Sequence, residues 1–194
     1  MHDSTAVLAN VKDYDRSMAS VVAAFICDPF LRWLFPDPWQ YLHFTPLLLK
    51  HFGGRAFEHS SAYRSSDFKA AAFWLPPGVS PDEEAMGAVL AEGVSPERQG
   101  DMFYMLEQVG AGHPKVAHWY LPVIGVEPLS QGRGYGSTRM ARGLQTCDLD
   151  QVAAYLETTN PANIPLYERF GFDVVGEMQA GSSPVITPMF RAAR

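Results

Sequence analysis

The sequence contains few cysteines and no long apolar run. Two of its 194 residues are cysteine, which excludes a fold built on a disulfide framework. Cys27 closes one apolar helical run and Cys147 lies inside another, so both are expected to be buried, reduced thiols and not metal ligands. No apolar stretch approaches the roughly 18 residues of a membrane-spanning helix, and the first residues lack the features of a secretory signal. A cytoplasmic protein without a membrane partner is therefore expected.

Positive charge is also scarce. The chain has 15 lysines and arginines against 21 aspartates and glutamates, which gives a net charge of −6, and the basic residues form no cluster. A nucleic-acid-binding surface needs such a cluster, so nucleic acid is not an expected partner. Hydrophobic residues make up 47% and charged residues 19% of the chain, as in proteins that fold around a core. The length indicates a single domain, residues 1–194.

Hydrophobic periodicity and turn signals predict a mixture of strands and helices. Strands are predicted at 5–10, 55–63, 68–75, 118–126, 152–157, 172–177 and 185–190. Helices are predicted at about 16–27, 39–52, 81–92, 96–109, 136–148 and 163–170. Asp28-Pro29 is interpreted as a helix stop, with an aromatic-rich linker at 30–36, and Ser80-Pro81 and Ser95-Pro96 each predict a serine-capped helix start. This order indicates an α+β or mixed α/β sheet.

The most distinctive stretch is 123–137, which reads V-I-G-V-E-P-L-S-Q-G-R-G-Y-G-S. An apolar strand ends at Val126, and Gly132, Gly134 and Gly136 lead into a helical pattern. Glycines let the backbone approach a ligand closely, and the first N–H groups of a helix have no intrahelical partner. The stretch therefore predicts a site for a phosphorylated ligand.

Two other nucleotide-binding designs share a glycine-rich turn between strand and helix. A P-loop requires a lysine after its last glycine, whereas Gly136 is followed by Ser137-Thr138, so that interpretation fails. A dinucleotide fingerprint requires a glycine where Ser137 stands. Glu157 does end the next apolar strand about 20 residues on, where a ribose-binding acid is expected. The dinucleotide interpretation is strongly disfavoured, although Glu157 keeps it from being excluded.

Two segments resemble a known family. The pattern Q-x-x-G-x-G at 131–136, after Ile124-Gly125-Val126, resembles the pyrophosphate-binding signature of the GNAT superfamily of acyl-CoA-dependent N-acyltransferases. Downstream, Leu156-Glu157-Thr158 and the run N-I-P-L-Y-E-R-F-G-F at 163–172 resemble its second cofactor segment. The nearer likeness is to puromycin N-acetyltransferase and related small-amine acetyltransferases. It covers roughly residues 118–176 well and the first 110 loosely.

The resemblance implies a GNAT fold. In it, a central mixed sheet of about six to seven strands has helices on both faces, and parallel strands 118–126 and 152–157 splay apart to admit acetyl-CoA, the donor substrate. Residues 1–115 would form the acceptor side and residues 116–194 the acetyl-CoA-binding half, with no metal ion. The implied cofactor-binding residues are Ile124, Gly125, Val126, Gln131, Gly132, Arg133, Gly134, Tyr135, Gly136, Ser137, Asn163 and Tyr167.

Several of these residues also have structural interpretations. Gly125 could be a packing or bulge glycine, and Asn163 is a natural helix N-cap because Pro165 is tolerated only in the first helical turn. Arg133 lies inside the loop, so a phosphate contact is favoured for it. Arg139 and Arg142 fit a phosphate contact and a solvated helix face about equally.

The resemblance also implies catalytic residues. Tyr167 would stand near the sulfur and protonate the departing thiolate, for which the ordinary tyrosine pKa of about 10 is adequate. The attacking amine must lose a proton, and Glu157 at the end of its strand is the preferred base, with His118 as the alternative. Trp74, Trp119 and Tyr120 suit pocket walls and core equally.

These residues predict an enzyme that transfers an acetyl group to a primary amine of a small molecule. Direct attack is expected, because Cys147 lies inside a helix and Cys27 is distant in sequence from the cofactor segments. A protein or peptide N-acetyltransferase fits the same motifs, which describe only the donor, and so does a non-catalytic acyl-CoA sensor. The oligomeric state is left open, with a homodimer as one possibility.

Overall fold

A computed structural model describes residues 5–194 as seven strands in one sheet, ordered β1-β2-β3-β4-β5-β7-β6, with helices around it. The strands are β1 (Ala6–Leu8), β2 (Ala62–Ser65), β3 (Ala70–Leu75), β4 (His118–Val126), β5 (Ala153–Thr158), β6 (Asp173–Val174) and β7 (Thr187–Arg191). The helices are α1 (Tyr14–Ala24), α2 (Pro29–Leu34), α3 (Pro38–Gly53), α4 (Glu83–Gly93), α5 (Pro96–Gly112), α6 (Tyr135–Leu149) and α7 (Ile164–Arg169). The predicted mixed α+β fold is confirmed.

The sheet is antiparallel except between β4 and β5. These two strands pair in parallel at three positions, the last of which joins Tyr120 to Tyr155, and beyond that point they diverge. Pro122 lies in β4 just past the last pair and has no N–H group to donate to a neighbouring strand. The register between β3 and β4 also shifts in this region, between Phe73 and Leu75. The predicted splay between the two parallel strands is thus present.

Helices cover both faces of the sheet, as expected. On one face, α1 and α3 pack against β3 and β4 around Val21, Leu49 and Phe73. On the other face, α6 and α7 pack around Trp74, Met140 and other buried side chains. Helices α2, α3, α4 and α5 form a further apolar cluster. Because α2, α3, α4 and α5 all lie before β4 in the chain, this helical cluster comes from the residues that precede β4.

The prediction of a linker at 30–36 is wrong, because α2 occupies most of this segment. The Asp28 side chain accepts a hydrogen bond from the Leu31 N–H, and Pro29 occupies the first helical turn. The Asp-Pro pair therefore starts α2, and α1 ends earlier in the chain, at Ala24. Similarly, α4 begins one residue after Asp82, whose carboxylate caps it, and not after Ser80.

Other boundaries also differ from the prediction. A 3-10 turn at Gly54–Phe57 replaces the first part of the strand predicted at 55–63, and β2 begins at Ala62. β6 has two residues where 172–177 was predicted. Cys27 is exposed, so the expectation that both thiols are buried holds only for Cys147. No helix among residues 5–194 is long and apolar enough to cross a membrane.

Candidate active site

A cavity of about 1040 Å³ opens where β4 and β5 diverge. Residues of α2, α3, α4 and α5 and of the segments that join them form one part of its wall, and residues of β4, β5 and α7 form most of the rest. The residues from β4, β5 and α7 that matter here are Tyr120, Ile124, Glu157, Thr158, Asn163 and Tyr167. The second half of the chain therefore contributes to the same space as the helical cluster of the first half.

The glycine loop lies at the C-terminal end of β4. Gly132 has φ 72° and Gly134 has φ 84°, a backbone region that favours glycine, and a Cβ built on either would meet no atom within 4 Å. Gly134 is also the N-cap of α6 and has no side chain with which to cap it. The Gln131 Nε2 group donates to the Val126 carbonyl at 3.2 Å, which joins the loop to the strand. This open helix start fits a pyrophosphate group.

Tyr135 holds the loop in place through its side chain. Its ring is buried, and its hydroxyl donates to Asp67 Oδ2 at 2.7 Å in the turn between β2 and β3. This hydrogen bond raises the pKa of Tyr135. Only the backbone of Tyr135 is therefore available to a ligand, together with Gly136 and Ser137 in the first turn of α6.

The three arginines near the loop occupy different environments. Arg133 is exposed within the loop. Arg139 is fully buried and donates to the carbonyls of Tyr135 and Thr5, so it is neither a solvated residue nor at the loop surface. Arg142 is half-buried, with its guanidinium 5.0 Å from the centre of the Tyr63 ring. Of the three, Arg133 is the one that lies exposed within the loop itself.

At the end of β4, Gly125 packs against α1 and the neighbouring Ile124 faces the cavity. A Cβ built on Gly125 would lie 2.7 Å from the Ala24 Cβ of α1, so this glycine permits close packing of α1 on the sheet. Ile124 lines the cavity. The carbonyl of Val126 already accepts the hydrogen bond from Gln131.

Tyr167 and Asn163 both line the cavity, from α7 and the turn before it. Burial raises the pKa of Tyr167, although a hydrogen bond with the Thr158 side chain lowers it in part, so the hydroxyl keeps its proton at neutral pH. Asn163 is exposed, and its side chain makes no capping hydrogen bond. Asn160 caps the preceding turn instead, by accepting from the Ala162 N–H at 3.1 Å. The Asn163 amide is therefore not used as the cap that its sequence context suggested.

Glu157 lies among aromatic side chains at the end of β5. Its side chain is 8% exposed, and its Oε2 atom accepts a hydrogen bond of 2.7 Å from the Tyr120 hydroxyl. Its Oε1 atom lies 3.3 Å from His113 Nε2. Burial raises the pKa of both Tyr120 and Tyr155, and the Glu157 charge raises it further, so both tyrosines remain protonated donors.

His118, the alternative base, stands at the start of β4 and also lines the cavity. Its Nδ1 atom lies 2.8 Å from the Val116 carbonyl, and its ring centre lies 5.6 Å from that of His113. His113 was missed by the sequence analysis, and its place next to Pro114 just after a helix is the only local signal for it. Trp74 and Trp119 pack in the core, whereas Tyr120 lines the cavity.

Comparison with known proteins decides the family. The family model for the acetyltransferase (GNAT) family matches residues 30–172, which include the loop, Glu157 and Tyr167. The chain belongs to the GNAT family. GNAT proteins of this kind are acetyltransferases, so the chain is an acetyltransferase enzyme. The narrower likeness to puromycin N-acetyltransferase has no counterpart in the family match.

The relatives of this GNAT protein match different lengths of the chain, 83% of it for the first relative below and 31% for the second. An uncharacterised N-acetyltransferase of Schizosaccharomyces pombe is 26% identical over 178 residues, which are 83% of this chain and 71% of that protein. The mycothiol acetyltransferase of Salinispora arenicola is 38% identical over 65 residues, so the chain matches only 20% of that longer protein. A crystal structure from Corynebacterium glutamicum, described as histone acetyltransferase HPA2 and related acetyltransferase, superimposes with a TM-score of 0.69. It is 22% identical, and the superposition covers 98% of this chain and 96% of that one.

Proposed function

We propose that this acetyltransferase moves an acetyl group from acetyl-CoA to a primary amine of a small molecule by direct attack. The observation that carries the proposal is the convergence of Glu157 from β5 and Tyr167 from α7 on one cavity at the divergence of β4 and β5. A base and an acid on one cavity are what an aminolysis reaction requires. The likeness of residues 118–176 to puromycin N-acetyltransferase and related small-amine acetyltransferases is part of this proposal.

The donor half of the proposal rests on residues 116–194. The loop at 131–136 and the start of α6 would hold the pyrophosphate, and Asn163 would contact the arm of the cofactor. Acetyl-CoA supplies an acetyl group already activated as a thioester. The open space in front of Gly132 and Gly134 supports this assignment, because a side chain at either position would fill it.

Glu157 and Tyr167 each carry out one of the two proton transfers that the acetyl-transfer step needs. Glu157 takes the proton that the attacking nitrogen loses while the new C–N bond forms, and Tyr120 holds its carboxylate by the 2.7 Å hydrogen bond. Tyr167 gives its hydroxyl proton to the departing sulfur as the C–S bond breaks. No cysteine takes part, because Cys147 is buried in α6, where burial raises the pKa of its thiol to about 12, and Cys27 is not in the cavity wall.

The acceptor half of the proposal rests on residues 1–115, of which 5–115 are described. These residues supply most of the apolar cavity wall. Four carboxylates line the cavity, against one lysine: Asp28, Glu83, Glu107 and Glu157, against Lys115. This excess of negative charge favours a cationic acceptor such as a protonated amine.

An acetyl-transfer assay tests the proposal. Purified protein is incubated with acetyl-CoA and a panel of small primary amines, and a lysine-bearing peptide is included in the same panel while free thiol is measured. We expect thiol release with one or more small amines. Release with the peptide alone would favour a protein acetyltransferase instead, and tight acetyl-CoA binding without turnover on any acceptor would favour a sensor.

A further inference from the structure

Asp28 is a buried carboxylate on the cavity wall that pairs with no cationic side chain in the part of the chain that the structure describes. Asp28 is 8% exposed and lies between α1 and α2. One oxygen accepts from the Leu31 N–H at 2.9 Å, and the other accepts from the Thr159 hydroxyl. Within residues 5–194, no lysine, arginine or histidine forms an ion pair with it.

The structural roles of Asp28 do not require its charge. The N-cap needs only one oxygen atom, which the asparagine amide retains, and the amide NH2 group can donate to the Thr159 hydroxyl oxygen in place of the bond that the second carboxylate oxygen accepts. A buried carboxylate without a counter-ion is unfavourable, and burial raises the pKa of Asp28 although its hydrogen bonds lower it in part. Each carboxylate oxygen accepts two hydrogen bonds, so the group can still accept from a ligand. The charge therefore points to a ligand cation.

The position of Asp28 places such a cation beside the proposed reaction centre. Thr159, which donates to Asp28, directly follows Thr158, the residue that hydrogen-bonds Tyr167. The charge of Asp28 is also close enough to contribute to the raised pKa of Tyr167. The apolar part of the cavity wall lies next to it, on α2, α4 and α5. Its members include Phe30, Leu34, Met86, Leu90, Met102 and Leu106.

We propose that Asp28 binds the ammonium group of the acceptor, and that the acceptor is a primary amine with an apolar body that occupies the cavity between α2, α4 and α5. This inference rests on the proposed function and narrows its substrate class. Asp28 is a binding residue in this scheme, and Glu157 remains the base. Glu157 first takes one proton from the bound ammonium ion and passes it to solvent by way of His113. It then takes the second proton, which the amine nitrogen loses as the C–N bond forms. A neutral molecule of the same shape should bind much more weakly, because it cannot compensate the buried carboxylate.

Binding measured without acetyl-CoA tests the inference independently of turnover. The probes are 2-phenylethylamine and its neutral counterpart 2-phenylethanol, measured by calorimetry at pH 7 on the full chain. We expect the wild type to prefer the amine by about 10- to 100-fold, and Asp28→Asn to lose this preference. Asp37→Asn is the matched control, because Asp37 caps α3 in the same way and is exposed. It should keep the preference.

The outcomes separate this inference from the proposed function. Loss of preference in Asp28→Asn supports the site even if the acetyl-transfer assay fails with every acceptor. Equal binding of the two probes by the wild type, or an unchanged preference in Asp28→Asn, overturns it. Asp28→Ser, which also retains an N-cap oxygen, serves if Asp28→Asn does not fold. Methylamine, which has no large apolar body, tests the second part of the proposal. If the wild type bound methylamine as tightly as 2-phenylethylamine, the cavity would not bind an apolar body.

Discussion

The Tyr120 hydroxyl donates a 2.7 Å hydrogen bond to Glu157, across the point at which β4 and β5 separate. Tyr120 is the last residue of β4 that pairs with β5, and Glu157 is two residues past the partner of Tyr120. The hydrogen bond thus fixes the carboxylate at the mouth of the splay, where the cavity begins. Glu157 also lies within reach of His113, which is partly exposed and connects the carboxylate to solvent.

Glu157→Gln should remove the base while retaining the hydrogen bond from Tyr120, because the amide oxygen still accepts it. We expect kcat/KM for the amine to fall by about 10²- to 10⁴-fold, with little change in the melting temperature. Steady-state kinetics with the best acceptor of the panel measure this. Tyr120→Phe should give a smaller loss, because the carboxylate remains and loses one donor. Full activity in Glu157→Gln would show that Glu157 is not the base and that another group takes the proton.

Tyr167→Phe should lower kcat more than it raises the KM for acetyl-CoA, because the hydroxyl acts only when the sulfur leaves. A loss of about tenfold or more in kcat is expected. Tyr63→Phe is the matched control: this tyrosine is equally buried, its hydroxyl lies 3.3 Å from Thr146 Oγ1, and it is not in the cavity wall. If both variants lose the same activity, the effect of Tyr167 is structural.

Gly134→Ala should weaken acetyl-CoA binding. The residue has φ 84°, so alanine there costs about 1–3 kcal/mol of stability, and its methyl group would enter the space in front of the loop. Gly78→Ala carries the same backbone strain at φ 82°, also with no atom near its Cβ, but lies on the acceptor side of the cavity. We expect a raised KM for acetyl-CoA only in Gly134→Ala. Equal donor KM values in the two variants would contradict the loop assignment.

Asp28→Asn should stabilise the protein at neutral pH but not in acid. Burial raises the pKa of Asp28 in the folded state, so the stability of the wild type is complete below the ordinary aspartate pKa of about 4 and decreases as the pH rises through the folded value. Asparagine is neutral throughout and has no such loss. Burial raises the pKa of the neighbouring Tyr41 and Tyr167, so they stay neutral across this range.

Thermal unfolding of both proteins between about pH 3.5 and pH 8 measures this difference. We expect the melting temperatures to converge at the acid end and Asp28→Asn to be higher at the neutral end. A wild type that is the more stable protein at pH 8 would show that the charged carboxylate is already compensated within the protein. Asp37→Asn, at an exposed cap, should show no such gain in melting temperature at neutral pH.

Local patterns predicted the second half of the fold well. The boundaries of β4, β5, α6 and α7 agree with the prediction to within about two residues, because each combines a clear hydrophobic period with glycine or proline signals at its ends. The first half was predicted less well. Asp28-Pro29 carries a signal for a helix stop and for a helix start, and only the packing of Phe30 and Leu34 into the helical cluster shows that α2 forms.

The sequence by itself determined the glycine loop at 131–136, because that loop depends on neighbours in the chain: glycines with positive φ next to a helix start. Only the tertiary structure decided the rest of the site. It buried Arg139, which the sequence spacing left equally suited to solvent or phosphate. It also brought Tyr120 to Glu157 across 37 residues and Asp28 to Thr159 across 131. Contacts between such distant residues depend on how the sheet and the helices pack, and no local pattern encodes them.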